Sequence, residues 1–95
     1  MPEGLAGPVL STGPVAEAVV RAIRARNPDV AVLDRGAYLR VQVPGRCRLL
    51  RRDVEEILGQ SFRLPADLEA VMPSFQGRLR LDEDEAVWEA AGAAP

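Results

Sequence analysis

Histidine and lysine are both missing from the 95 residues. Without histidine the chain lacks the commonest general base and the commonest metal ligand. Without lysine, Schiff-base chemistry and a phosphate loop that ends in lysine are excluded. A single cysteine, Cys47, permits no intrachain disulfide and fits a reducing cytoplasm. It also excludes an iron–sulfur cluster held by four thiolates. No dinucleotide-binding glycine fingerprint is present. No apolar run approaches the ~20 residues that span a bilayer. Met1-Pro2-Glu3-Gly4 lacks the basic start of a signal peptide. The expectation is a cytoplasmic chain that carries no cofactor or metal and does not enter a membrane.

What is present belongs to an ordinary globular domain, 47% hydrophobic and 27% charged. Ninety-five residues make one domain with a modest core and little room for a deep cavity. Residues 1–7 and 91–95 read as flexible tails. The net charge of −2 conceals an asymmetry. Residues 1–34 carry −1, residues 35–52 carry six arginines and no acid, and residues 53–95 carry −7. Such a dipolar surface steers association with partners, unless folding brings the two regions together to neutralise each other.

Periodicity predicts the elements. Val9-Leu10 is a short strand. Thr12 or Gly13 caps a helix, Pro14 suits its first position, and the helix runs to about Arg26. Val15, Val19 and Ile23 form its apolar stripe, and Asn27-Pro28 ends it. Val30–Leu33 is a strand. Ala37–Val43 alternates, with Ala37, Leu39, Val41 and Val43 on one face and Tyr38, Arg40 and Gln42 on the other. After a tight turn at Pro44-Gly45, Arg46–Leu49 alternates again. A second helix covers Arg51–Leu58, with Gly59 beyond its end. Residues 60–76 read as loop, with a possible helical turn near Ala66–Ala70. Gly77–Leu81 and Ala86–Ala90 form a hairpin around Asp82-Glu83-Asp84-Glu85. The order βαβββαββ implies an α/β (α+β) two-layer sandwich, an antiparallel-rich sheet covered by two helices.

Candidate catalytic groups read better as structural. The acid run 82–85 lacks the spaced ligands of a calcium loop and is a solvated hairpin tip. Asp53, Glu55 and Glu56 favour a helix N-terminus. Cys47 lies on an apolar strand face with no base to activate it. Ser74 has no base either. The arginines of residues 35–52 suggest a nucleic-acid-binding or assembly adaptor that uses an arginine-rich sheet face. The acidic pI of about 5.1 and the absence of any nucleic-acid motif oppose that, and arginine is enriched at protein interfaces.

Four short motifs stand in a fixed order: Gly7-Pro8-Val9-Leu10, Asp34-Arg35-Gly36-Ala37-Tyr38-Leu39-Arg40, Leu58-Gly59-Gln60-Ser61-Phe62 and Ser74-Phe75-Gln76-Gly77. Together, from about Gly7 to Trp88, they resemble the effector (coupling or regulatory) proteins of soluble di-iron monooxygenases. The resemblance implies a non-enzymatic subunit without cofactor. Such a subunit docks on the four-helix bundle of the di-iron hydroxylase and tunes oxygen activation, substrate access and coupling. The short stretch before Val9 looks more like the aromatic, phenol or alkene branches than the methane branch. Ala86, Trp88 and Ala90 depart from the denser apolar run with which relatives end. The expected hydroxylase interface is Tyr38, Arg40 and Gln42 on one strand face, with Ser74, Phe75, Gln76, Gly77 and Arg78. The free protein is expected to be a monomer or weak dimer.

Overall fold

Two runs of alternating residues build two separate antiparallel sheets. The computed structural model describes residues 4–91. Leu5–Ser11 (β1) leads to Pro14–Arg26 (α1), Ala31–Asp34 (β2), Tyr38–Pro44 (β3) and Arg46–Leu50 (β4). Arg51–Leu58 (α2), Ala66–Glu69 (α3), Ser74–Gln76 (β5), Arg78–Leu81 (β6) and Glu85–Glu89 (β7) follow. The first sheet has the order β2-β3-β1-β5 and the second β4-β7-β6. The α+β class and the chain order agree with the sequence; the single sheet is replaced by two.

The chain passes between the sheets at two glycines. Pro44-Gly45 is not a reversal: β3 ends in the first sheet and β4 starts in the second. Gly45 donates its N–H to the Gly4 carbonyl and accepts from Ala90 N–H, each at 2.8 Å. Gly77 makes the second crossing, from β5 to β6, at φ 98°. A Cβ there would lie 2.5 Å from the Glu89 carbonyl oxygen and 3.2 Å from the Ala6 Cβ. Only glycine fits so tight a seam at that φ.

Several boundaries move. Residues 1–7 were expected as a tail, yet Leu5–Gly7 open β1, paired with β3 from Leu5↔Pro44 onward. Residues 1–3 and 92–95 lie outside the described residues. Residues 60–76 are not loop throughout: they hold α3 and β5, because Leu68 packs into the core and Ser74–Gln76 pair with β1. The last strand begins at Glu85 rather than Ala86. Gly13 takes the α1 N-cap position and makes no side-chain cap bond. The Thr12 hydroxyl instead donates to the Gly36 carbonyl at 2.8 Å, tying the helix start to the β2–β3 turn.

The core joins Ala6, Leu10, Val41 and Val43 of the first sheet, Cys47, Leu49, Ala86 and Trp88 of the second, and Val19, Ile23, Val54 and Leu68 of the helices. Trp88 is fully buried, and its Nε1 finds no hydrogen-bond partner among the described residues. Such an orphan donor costs about 1–3 kcal/mol, set against the apolar area the indole buries. Asn27 does more than stop α1. Its Nδ2 donates to the carbonyls of Ile23 (2.7 Å) and Arg48 (2.8 Å), and its Oδ1 accepts from Arg48 N–H (2.9 Å). Arg26 then clasps Asp53 of α2 at 2.7 and 3.0 Å. That guanidinium holds the Asp53 carboxyl below the usual range.

Candidate docking face

Registered strands place their paired side chains on one face. Across the first sheet, Leu33, Arg40, Val9 and Ser74 form one row. Ala31, Gln42, Gly7 and Gln76 form the next, and Tyr38 and Ser11 a third. This is the outer face, opposite the buried Leu39, Val41 and Val43. It exposes Tyr38 (41%) and, at its end, Leu5 (36%). Arg40 is the charged side chain at the centre of the three rows, and Arg35, whose N–H donates to the Tyr38 carbonyl at 2.9 Å, stands at the end of the third.

A groove of about 320 Å³ crosses this face. The β1–β3 ladder pairs Ala6↔Val43 and Val9↔Arg40 and skips the two residues between, with no change of register. Pro8 has no N–H to donate, and Gly7, at φ 150°, brings no side chain to the gap. A Cβ on Gly7 would run into the Val41 carbonyl oxygen. Arg40, Gln42, Ser74, Phe75 and Gln76 line the groove. Gly7-Pro8 and Ser74-Phe75-Gln76, far apart in sequence, are therefore neighbours, paired Gly7↔Gln76, Pro8↔Phe75 and Val9↔Ser74.

The eight residues expected at the interface are thus divided. Arg40, Gln42, Ser74 and Gln76 share the outer face and the groove, and Tyr38 stands two residues along the same strand. Phe75 alternates with its neighbours, registered against buried Pro8, yet is 44% exposed because β5 is an edge strand. Gly77 is the crossing. Arg78 belongs to the second sheet, opposite Glu89.

That second outer face has a different character. Arg46 and Arg48 on β4 flank Glu85, Val87 and Glu89 on β7, with Arg78 and Arg80 on the other side. Arg48 pairs with Glu85 at 2.7 Å and Arg80 with Glu89 at 3.2 Å. Val87 is buried between Arg48 and Arg80, whose apolar stems flank it. A cleft of about 390 Å³ beside it holds Arg48, Arg51 and Arg52, but Asp82, Asp84 and Glu85 share its walls. Arg40 and Arg46/Arg48 therefore sit on different sheets, and the basic segment presents no continuous arginine face to a nucleic acid.

Burial pushes the Cys47 thiol up to about 12, the opposite of an activated nucleophile. The Asp82 carboxyl accepts the N–H groups of Asp84 (2.7 Å) and Glu85 (2.9 Å), which hold it below its usual range and shape the hairpin tip. Among the described residues no group of three or more His, Cys, Asp or Glu is placed to hold a metal. No helix there is long and apolar enough to cross a membrane.

A sheet face low in charge, with an exposed tyrosine and arginine, has the composition of a protein-binding surface. The chain belongs to the MmoB/DmpM family, whose model matches residues 5–89. It is 44% identical over 90 residues to the effector subunit of the alkene monooxygenase system of Xanthobacter autotrophicus (strain ATCC BAA-1158 / Py2). That alignment covers 93% of this chain and 88% of the relative. A chain in the phenol hydroxylase–regulatory protein complex shares the fold at TM-score 0.81 and 23% identity, over 92% of this chain and 99% of that one. The soluble methane monooxygenase regulatory protein B shares it at TM-score 0.69 and 20% identity, over 93% of this chain and 65% of that one. The family expected from the four motifs is the family found, and these relatives are named as effector or regulatory proteins.

Proposed function

We propose that this chain is the cofactor-free effector subunit of a multicomponent bacterial monooxygenase. It binds the di-iron hydroxylase component and modulates oxygen activation, substrate access and the coupling of electrons to product. The family match over residues 5–89 carries this reading, and the 44% identity to an alkene monooxygenase effector favours an alkene as substrate of the cognate hydroxylase. The docking surface is the outer face of the first sheet, with Tyr38, Arg40, Gln42, Ser74 and Gln76. Phe75 at the sheet edge, Gly77 and Arg78 extend it. The protein acts in the cytoplasm and is a monomer or weak dimer when free. Titrating it into hydroxylase, reductase and ferredoxin while recording product per NADH is the test. A rise in rate and coupling that saturates near stoichiometry is expected; an unchanged rate at saturation overturns the proposal.

A further inference from the structure

The groove over Gly7 has a polar lining and no acid of its own. Arg40 is the charged residue of its lining and makes no ion pair and no side-chain hydrogen bond among the described residues. Arg21, Arg35, Arg46, Arg52 and Arg78 also have no carboxylate partner there, but none of them lines this groove. The cross-strand neighbours of Arg40 are Leu33 and Val9. Gln42 and Gln76, in the next row, and Ser74, beyond Val9, bring further N–H and O–H donors to the rim. The broken β1–β3 ladder leaves the floor without a side chain at Gly7. The result is one uncompensated guanidinium in a donor-rich notch.

We propose that this groove receives a carboxylate side chain, Asp or Glu, of the hydroxylase, taken by Arg40 with the Gln and Ser donors around it. The inference rests on the docking face assigned under the proposed function. Charge complementarity selects the occupant. A cationic partner residue would meet Arg40 head on, an apolar one would leave the guanidinium desolvated and unpaired, and a carboxylate satisfies its planar donor fork. As the charge within the groove, Arg40 also fixes the register of docking, because any displaced pose strands it.

The test is hydroxylase affinity for wild type, Arg40→Lys, Arg40→Gln and Arg40→Glu, measured by titrating each into the purified hydroxylase of its own system. Arg21→Gln serves as control, on the exposed side of α1. All four substitutions are at exposed positions, and thermal unfolding verifies that each variant is folded. A graded loss is expected. Lys keeps the charge and part of the affinity, Gln weakens Kd at least about tenfold, Glu weakens it further, and Arg21→Gln changes nothing. Wild-type affinity in Arg40→Gln or Arg40→Glu overturns the inference. Equal loss in Lys, Gln and Glu overturns it too, since charge would then not be what is recognised. Wild type that fails to bind the hydroxylase at all strikes the proposed function instead, so the two failures are distinct.

Discussion

The two sheets of this protein have similar inner faces and opposite outer ones. Both turn small and aliphatic residues inward, and both leave the outer side uncovered by helices. On the second sheet the outer side is a ladder of charges, with acidic β7 between the arginines of β4 and β6. Arg48 and Arg80 are answered there by Glu85 and Glu89, so the middle of the face is satisfied in water and gains little from a partner, while Arg46 and Arg78 make no ion pair among the described residues. On the first sheet the outer side is tyrosine, glutamine, serine, glycine and aliphatics around Arg40, with Arg35 at the turn beside Tyr38. In a chain that is 27% charged, so neutral a face is conspicuous. Desolvating it on docking costs little, and it gains apolar contact and one directed charge interaction. Charge count along the chain points to residues 35–52 as one basic unit, because it does not register that Arg40 stands on the first sheet while Arg46 and Arg48 stand on the second.

The largest expected effect falls on the seam that holds the two sheets together. Gly77→Val places a branched side chain against the Glu89 carbonyl at a φ that such residues rarely adopt. Overpacking and backbone strain together are expected to cost roughly 3 kcal/mol or more. Chemical denaturation should show a lower midpoint with an unchanged slope. A variant as stable as wild type would mean that the seam relaxes and the sheets are less tightly joined than described.

Next in size is the loss of Tyr38, the proposed anchor of the neutral face. Tyr38→Ala is expected to leave stability within about 0.5 kcal/mol, since the ring is exposed, while weakening hydroxylase binding by roughly 2 kcal/mol, about thirtyfold in Kd. Phe75→Ala, 44% exposed, should cost well below the ~3–5 kcal/mol of a core aromatic such as Phe62. Melting curves and titrations on the same preparations check both. A Tyr38 variant with unimpaired stimulation would remove this end of the face from the docking surface.

Much of this face was legible in the sequence. Alternation from Tyr38 to Val43 placed Tyr38, Arg40 and Gln42 outward, because a strand buried on one side must repeat every second residue. The two long helices were legible for similar reasons, with Pro14, Asn27 and Gly59 marking ends. Long-range pairing was not legible. Nothing local says that Gly7-Pro8 lies against Ser74–Gln76, and so the groove between them was invisible. The split into two sheets was hidden for the same cause: Pro44-Gly45 carries turn chemistry whether the chain reverses or crosses. α3 is a single turn, too short to develop a period, and tertiary burial of Leu68 secures it. Asn27 signalled only a helix stop, although its two hydrogen bonds with Arg48 pin α1 to β4.

Acid should distinguish the two sides of the molecule by a smaller margin. The carboxyls held below their usual range are Asp53, through Arg26; Glu55, through the Phe62 N–H and Arg51; and Asp82, through two backbone N–H groups. All three lie in the helices or the β6–β7 tip, none on the neutral face. A depressed carboxyl contributes stability that is present above its unfolded pKa and is lost as pH falls through its lower folded value. No histidine is present to titrate at higher pH. Melting temperature should therefore hold steady from about pH 8 to about pH 5.5 and decline below about pH 4.5. Asp53→Asn should start lower and decline less steeply. A transition near pH 6.5 in the described domain would contradict the assignment.

The smallest effect separates two neighbours on β6. Arg80 and Arg78 both face outward from the second sheet, but Arg80 pairs with Glu89 at 3.2 Å while Arg78 makes no ion pair among the described residues. The Arg80–Glu89 pair is exposed, so Arg80→Ala is expected to shift stability by no more than about 0.5 kcal/mol. It should leave stimulation of the hydroxylase unchanged, because its charge is already answered within the protein. Arg78→Ala should be equally silent in unfolding, yet weaken stimulation, because its guanidinium is free and adjoins the crossing at Gly77, where the neutral face ends. Measuring both by melting and by product per NADH sets the boundary of the docking surface. Equal silence in the two would confine docking to the first sheet. Equal loss would mean that the charge ladder also meets the partner, and the contrast between the two faces would no longer separate a binding surface from a solvated one.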